Sequence, residues 1–177
     1  MSSDLAGLLE RLPGRELAFA AGAPVFHIGD AVRFVHFVRK GTIHLIRHQD
    51  DGSSLILQRA TSGAILAEAS VYSERYHCDA RAETDAITWA IVRRNLLHAL
   101  SESPDLEKAW THHLAHEIQR ARLHAEILSI KTVAARLTAW CAWHGGLPAK
   151  GQWANIANEI GVSPEALYRE IARRRRV

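Results

Sequence analysis

The stretch QWANIANEIGVSPEALYREIARRRRV (residues 152–177) holds two short helical periods separated by a glycine. Ile156, Ala157 and Ile160 supply an apolar face before the break, and Leu167 and Ile171 supply one after it. Gly161 occupies the break, where a left-handed backbone costs glycine least. Val162 fills the space between the helices, and Ser163-Pro164 starts the second with a cap and a first-turn proline. The pattern predicts a helix-turn-helix with Pro164, Glu165, Tyr168 and Arg169 pointing outward from the first turns of its second helix. Those turns reach base edges when such a helix enters the major groove. Arg bonds guanine bidentately, and Glu accepts from the cytosine amino group. Ser163 and Arg173 complete the candidate DNA contacts. Arg169, Arg173, Arg174, Arg175 and Arg176 give a basic end to a chain whose net charge is only +3, as phosphate contacts require. The competing readings are an ordinary helical hairpin with a polar face and a solvated charged tail.

Upstream, Lys131 to Trp143 reads as another helix, with Val133, Leu137, Trp140 and Cys141 on one side and Gly145-Gly146 as its stop. Before it, Ser103-Pro104-Asp105 opens a helix with no breaker until about Leu128, roughly 37 Å at 1.5 Å per residue. Trp110, Leu114, Ile118, Ala121, Ala125 and Leu128 recur along it at spacings of three and four. So narrow a stripe on so long a helix predicts a partner surface, either a parallel second copy or the chain's own β domain. His112 and His116 stand four apart on it, a spacing that a metal can use but that solvated helix faces also carry.

From Gly14 to about Arg94 the texture is β. VRFVHFV alternates with Val32, Phe34, His36 and Val38 on one side, TIHLIRH places Ile43 and Leu45 likewise, and SSLILQRA and AITWAIV follow. Turns fall at Gly22-Ala23-Pro24, Gly29-Asp30, Lys40-Gly41, Asp50-Asp51-Gly52 and Ser62-Gly63. Short strands at this spacing predict an antiparallel sandwich or barrel. A short amphipathic helix precedes them, stopped at Pro13-Gly14, and Asn95-Leu96-Leu97 reads as a capped short helix after them. The expected fold is α+β: a β-rich sensor over residues 1–100, a dimerisation helix over 101–129 and a DNA-binding unit over 130–177.

Hydrophobic residues make up 47% and charged residues 23% of the 177, so the chain can bury a core. No apolar run approaches the roughly 20 residues of a membrane span, and the N-terminus lacks the basic-then-apolar order of a signal peptide. Two cysteines, Cys78 and Cys141, suit a reducing compartment. The expected location is the cytoplasm, with no membrane partner. An enzyme is not expected: there is no G-x-S-x-G elbow, no P-loop and no paired catalytic acids.

In the order of these parts the chain resembles the family of the catabolite activator protein and the fumarate–nitrate regulator. The resemblance rests on GAPVFHIGD, RKGTIHLI, SGAILAEASVY, the long helix and IANEIGVSPEALYREIA, and it spans nearly the whole chain. It implies a jelly-roll sensor, a homodimer, a two-fold symmetric site on double-stranded DNA, and contact with RNA polymerase if the protein activates. It also places Glu165 and Arg169 at the family's base-reading positions. The family usually adds a two-stranded wing after the recognition helix; the sequence ends at Val177 with no evident wing. Lost wing contacts would weaken DNA affinity unless the Arg run replaces them, and a helix-turn-helix that no longer binds DNA is the alternative.

The effector cassette departs from the family as well. Cyclic-nucleotide-binding members carry a Glu and, about ten residues on, an Arg that neutralises the phosphate. Glu68 is present, with Ser70 close by, but Tyr76-His77-Cys78-Asp79 stands where the Arg belongs and Arg75 is offset. A buried anion without a cation is costly, so a cyclic nucleotide is not the expected effector. His77 and Cys78 instead offer imidazole and thiolate to a thiophilic metal, Cu(I) or Zn(II), or a redox-active thiol, with haem on His77 a lesser candidate. Adjacent strand residues point to opposite faces, so one shared ion requires a turn there. The bland alternative is a structural cysteine at a strand start.

Overall fold

The computed structural model describes residues 3–48 and 54–175, and among these the alternating segments form eight strands. They are β1 (Gly14–Phe19), β2 (Pro24–Phe26), β3 (Phe34–Lys40), β4 (Thr42–His48), β5 (Ser54–Thr61), β6 (Ile65–Leu66), β7 (Asp79–Ala82) and β8 (Ala86–Val92). Two antiparallel sheets result, ordered β1-β8-β3-β6 and β2-β7-β4-β5. The predicted turn at Asp50-Asp51-Gly52 lies outside the described residues.

The run FVHFV in β3 is apolar almost throughout because both of its faces are covered. Val38 joins Val32, Ile43, Leu45, Phe26 and Cys78 in the core shared by the two sheets. Val35 and Phe37 face the other way, onto Leu5 and Leu9 of α1 (Ser3–Arg11) and Leu96 and Leu100 of α2 (Arg93–Glu102). The one-face alternation expected for this segment is therefore real, but its second face is a core too. Helix α2 also starts earlier than expected. It leaves β8 directly at Arg93, whose N–H is donated to the Arg33 carbonyl, so Asn95 is an interior residue and not the cap.

Gly41 is the β3–β4 turn residue, with φ +84°. A Cβ there would also press into the Asp85 carbonyl oxygen. Both the left-handed backbone and the backbone-to-backbone approach demand glycine. Gly41→Ala is expected to cost about 2 kcal/mol; a denaturation midpoint equal to the parent's would contradict that.

Helix α3 (Pro104–Ser129) begins as its sequence predicts: Ser103 Oγ accepts from the Leu106 N–H at 3.3 Å, with Asp105 and Glu107 in the first turn. The chain divides into compact units Met1–Ala115 and His116–Val177, so the division falls inside α3 instead of setting it apart. Leu106 and Trp110 are buried in the core of the first unit, and Leu123 and Ile127 pack in the core of the second. The predicted stripe is accordingly not one continuous surface. Trp110 is internal, Leu114 packs partly against the first unit, and Ile118, Ala121, Ala125 and Leu128 are left exposed.

The second unit closes around α4 (Val133–His144), α5 (Trp153–Glu159) and α6 (Pro164–Arg174). Thr132 caps α4 by accepting from the Ala135 N–H, and Gly145 ends it in a left-handed conformation. Leu137, Trp140, Trp153, Ile156, Ala157, Ile160, Leu167 and Ile171 form its core. Among the described residues, no helix is long and apolar enough to cross a membrane.

Candidate DNA-reading surface and effector region

Helices α5 and α6 meet through a turn at Gly161, φ +63°. Ser163 Oγ caps α6 by accepting from the Ala166 N–H at 3.2 Å, and Pro164 fills the first turn. Leu167 and Ile171 point into the core, which fixes the opposite face outward. Glu165, Tyr168 and Arg169 stand exposed on that face, with Pro164 half-buried beside them. The Glu165 carboxyl is held below the usual carboxylate range by its own backbone N–H and the Ser163 hydroxyl, with Arg169 adding to the effect. It is thus ionised and oriented as an acceptor. The Tyr168 ring leans on Trp153, centroids 5.8 Å apart. Every member of the predicted reading set therefore lies on or at the start of one helix.

The basic run behaves differently from a free tail. Arg173 makes two bonds to Glu170, both at 2.9 Å. Arg174 bonds the same carboxylate at 2.8 Å and also reaches the Ala134 carbonyl and Thr138 Oγ1. Arg175 lies over the Trp153 ring at 5.1 Å. Arg174 thus fastens α6 to α4, a role the sequence concealed, and Arg173 keeps an exposed side chain that is already paired on one edge. Arg176 lies outside the described residues.

Glu170 organises this group. Its carboxyl is pushed down to about 2, first by the hydrogen bonds from Arg173 and Arg174. A depressed carboxyl adds stability above its ordinary value near 4.5 and loses it as pH falls towards about 2. Glu170→Gln is expected to unfold more readily at pH 7 and to lack that acid-dependent loss between pH 4.5 and 2. Parallel pH profiles of parent and variant would contradict the assignment.

Arg136 of α4 was not singled out by sequence reasoning. Its guanidinium donates to the carbonyls of Ile130 (2.7 Å), Ile160 (2.9 Å), Gly161 (3.0 Å) and Leu128 (3.0 Å). One side chain so ties the end of α3 to the helix-turn-helix turn. The available signal was an arginine on the apolar side of an otherwise uncharged helix.

In the effector region Glu68 opens a 3-10 helix, Glu68–Tyr72, after Ala67 in a left-handed conformation. Gln58 holds the segment: its Nε2 donates to Glu68 Oε2 at 2.9 Å and to the Ile65 carbonyl, and its Oε1 accepts from the Ala67 N–H. Ser70 is buried on the same short helix. Three arginines of this region bond carbonyls: Arg75 that of Gly29 at 2.7 Å, Arg47 that of His77 at 2.9 Å and Arg93 that of Val71 at 2.6 Å.

His77 and Cys78 are not brought together. His77 is exposed, while Cys78 is 2% exposed in the inter-sheet core. Burial pushes the Cys78 thiol up, against a smaller opposing pull from Arg47. A thiol held protonated among apolar side chains is a poor metal ligand or nucleophile. The two expected ligands are thus separated by burial, Cys78 inside the core and His77 at the surface, on a bend that precedes β7. Cys141 likewise packs against the second core, and the His144 ring stacks on Trp140 at 4.0 Å. Among the described residues no group of three or more His, Cys, Asp or Glu is placed to hold a metal ion.

With this geometry established, comparison with known proteins places the chain. Residues 16–103 match the cyclic nucleotide-binding domain family. The chain as a whole has the fold of the catabolite activator protein and fumarate–nitrate regulator family, known as CRP/FNR. FixK2 from Bradyrhizobium japonicum superposes with a TM-score of 0.71 at 18% identity, covering 92% of this chain and 84% of its own. CLP from Xanthomonas campestris, a c-di-GMP-responsive global regulator, gives 0.66 at 18% identity, covering 95% and 88%. The Thermus thermophilus catabolite activator protein gives 0.59 at 21% identity, covering 98% and 83%. No curated protein matches the sequence significantly.

Proposed function

We propose that this protein is a homodimeric transcription regulator that reads a two-fold symmetric site on double-stranded DNA and answers to an effector at its β domain. The reading places it in the cytoplasm, and with RNA polymerase as a partner if it activates. The observation that carries it is the α5–turn–α6 unit, whose packed inner face leaves Glu165 and Arg169 outward, one turn apart, on a capped helix. Phosphate contacts fall to Ser163 and Tyr168 at the helix start, and to Arg173 and Arg175. A family match over the β domain supports effector control without naming the effector. The Glu68 carboxylate held by Gln58, with Arg75 turned to a carbonyl, favours a ligand other than a cyclic nucleotide.

Selection of bound sequences from a random duplex library should return an inverted repeat. On that repeat Arg169→Ala should lose roughly 1–3 kcal/mol and relax preference at one base pair. Unchanged affinity and specificity in Arg169→Ala would remove the recognition-helix assignment. Binding that is equally weak on every duplex, or absent at low salt, would favour a sensor module whose helix-turn-helix has no DNA role.

A further inference from the structure

The first unit contains a cavity of about 370 Å³ lined by Phe26, Phe34, Tyr76, His36, Arg33 and Asp30, among others. The volume lies in the range of about 300–1,000 Å³ usual for small-molecule sites. The cavity is distinct from the Glu68 segment, and no role proposed above uses it. Its floor is His36, 4% exposed, with the rings of Phe19, Phe26 and Phe34 6.2–6.3 Å from its own. Phe26 is itself stacked on Tyr76, and the Tyr76 hydroxyl is fixed to the Phe34 carbonyl at 2.8 Å. The aromatic wall is therefore rigid.

The hydrogen bonding of His36 fixes what it presents. Its Nδ1 lies 3.1 Å from Thr88 Oγ1. Thr88 is fully buried, and its hydroxyl has no other partner among the described residues. The hydroxyl's one hydrogen is then satisfied by donation to Nδ1, which puts the imidazole proton on Nε2. Nε2 forms no hydrogen bond with the described residues, and His36 lines the cavity, which leaves this N–H as the ring's free donor there. Burial lowers the imidazole to about 4, so the ring is neutral at physiological pH. The floor therefore carries no charge, and the charges at the wall, Arg33 and Asp30, are of opposite sign and favour neither an anion nor a cation outright.

We propose that this cavity binds a small uncharged aromatic molecule whose carbonyl oxygen accepts from His36 Nε2. Treating that molecule as an effector rests on the regulator reading, but the binding itself does not involve DNA, so the two fail separately. The test is titration of the full chain with acetophenone, followed by NMR of its amide and imidazole signals, with benzoate and toluene in parallel. Acetophenone should saturate at one site and move the His36 ring and the Thr88 amide. Benzoate should bind at least tenfold more weakly. His36→Phe keeps a ring but lacks the donor; it should weaken acetophenone at least tenfold and leave toluene unchanged. Ala31→Trp, a substitution at an exposed residue lining the same cavity, should block all three without touching the core, and so keeps the test valid if His36→Phe misfolds. No saturable shift through the millimolar range, or undiminished acetophenone binding in Ala31→Trp, would overturn the proposal.

Discussion

Arg136→Ala is expected to destabilise the C-terminal unit by about 3 kcal/mol, more than any exposed substitution in it. The guanidinium reaches four carbonyls that end two different helices and the turn between α5 and α6. Helix C-termini leave such carbonyls without intrahelical donors, and a charged donor is the stronger kind of partner, about 1.5–3 kcal/mol each before non-additivity. Lysine carries the charge but not the planar fork, so Arg136→Lys should recover only part of the loss. Trp140 and Trp153 sit in the core of this unit and report its unfolding by fluorescence. A loss below about 1 kcal/mol in Arg136→Ala would mean that water replaces the guanidinium at little cost. The same variant should weaken DNA binding, because the Gly161 turn sets the angle of α6.

The helix-turn-helix was legible because each of its signals is local. A cap, a first-turn proline, a turn glycine and a spacing of four are all read within twelve residues, and Ser163, Pro164, Gly161 and Leu167 stand where those signals put them. The strands were legible for the same reason. What escaped was every feature that depends on residues distant in sequence. The pairing of Arg174 with Thr138 spans 36 positions, and that of Arg136 with Gly161 spans 25. No spacing rule announces such contacts, so an arginine run that reads as a phosphate-binding tail holds Glu170 and α4 instead. His36 and Thr88 meet from strands 52 positions apart, which hid the cavity floor. His77 and Cys78 part company for a similar reason: the core that takes up Cys78 is built from strands remote in sequence, and His77 is left at the surface.

This redistribution of charge bears on how the protein would hold DNA. With Arg174 engaged by Glu170, Ala134 and Thr138, fewer cations in the basic run remain for phosphates, and on the proposed function the electrostatic affinity of each reading head would be correspondingly modest. Specific binding would then depend on two heads acting together. A dimer would decide affinity as well as symmetry.

Ile118→Glu combined with Ala125→Glu is accordingly expected to abolish tight operator binding. Ile118 is 52% exposed in the single chain, and Ala121, Ala125 and Leu128 continue its stripe at spacings of three and four. An uncovered apolar stripe at coiled-coil spacing is the surface a second copy would bury. Leu114 is a poorer probe, because it packs partly against the core of its own first unit and its loss would confound folding with assembly. Two glutamates on each copy bring like charges across the contact. Sedimentation should then show monomers, while the denaturation midpoint at low protein concentration stays near the parent's, since both sites are exposed already. Without the dimer the second half-site is no longer held at millimolar effective concentration, and linkage of this kind raises avidity by about 10²–10⁴. Affinity for an inverted repeat should fall at least a hundredfold, to that of a single half-site, and the salt dependence should drop to about half its slope. A doubly substituted protein that still sediments as a dimer would place the interface elsewhere. One that becomes monomeric yet binds the repeat as before would show that α6 reads DNA without a partner.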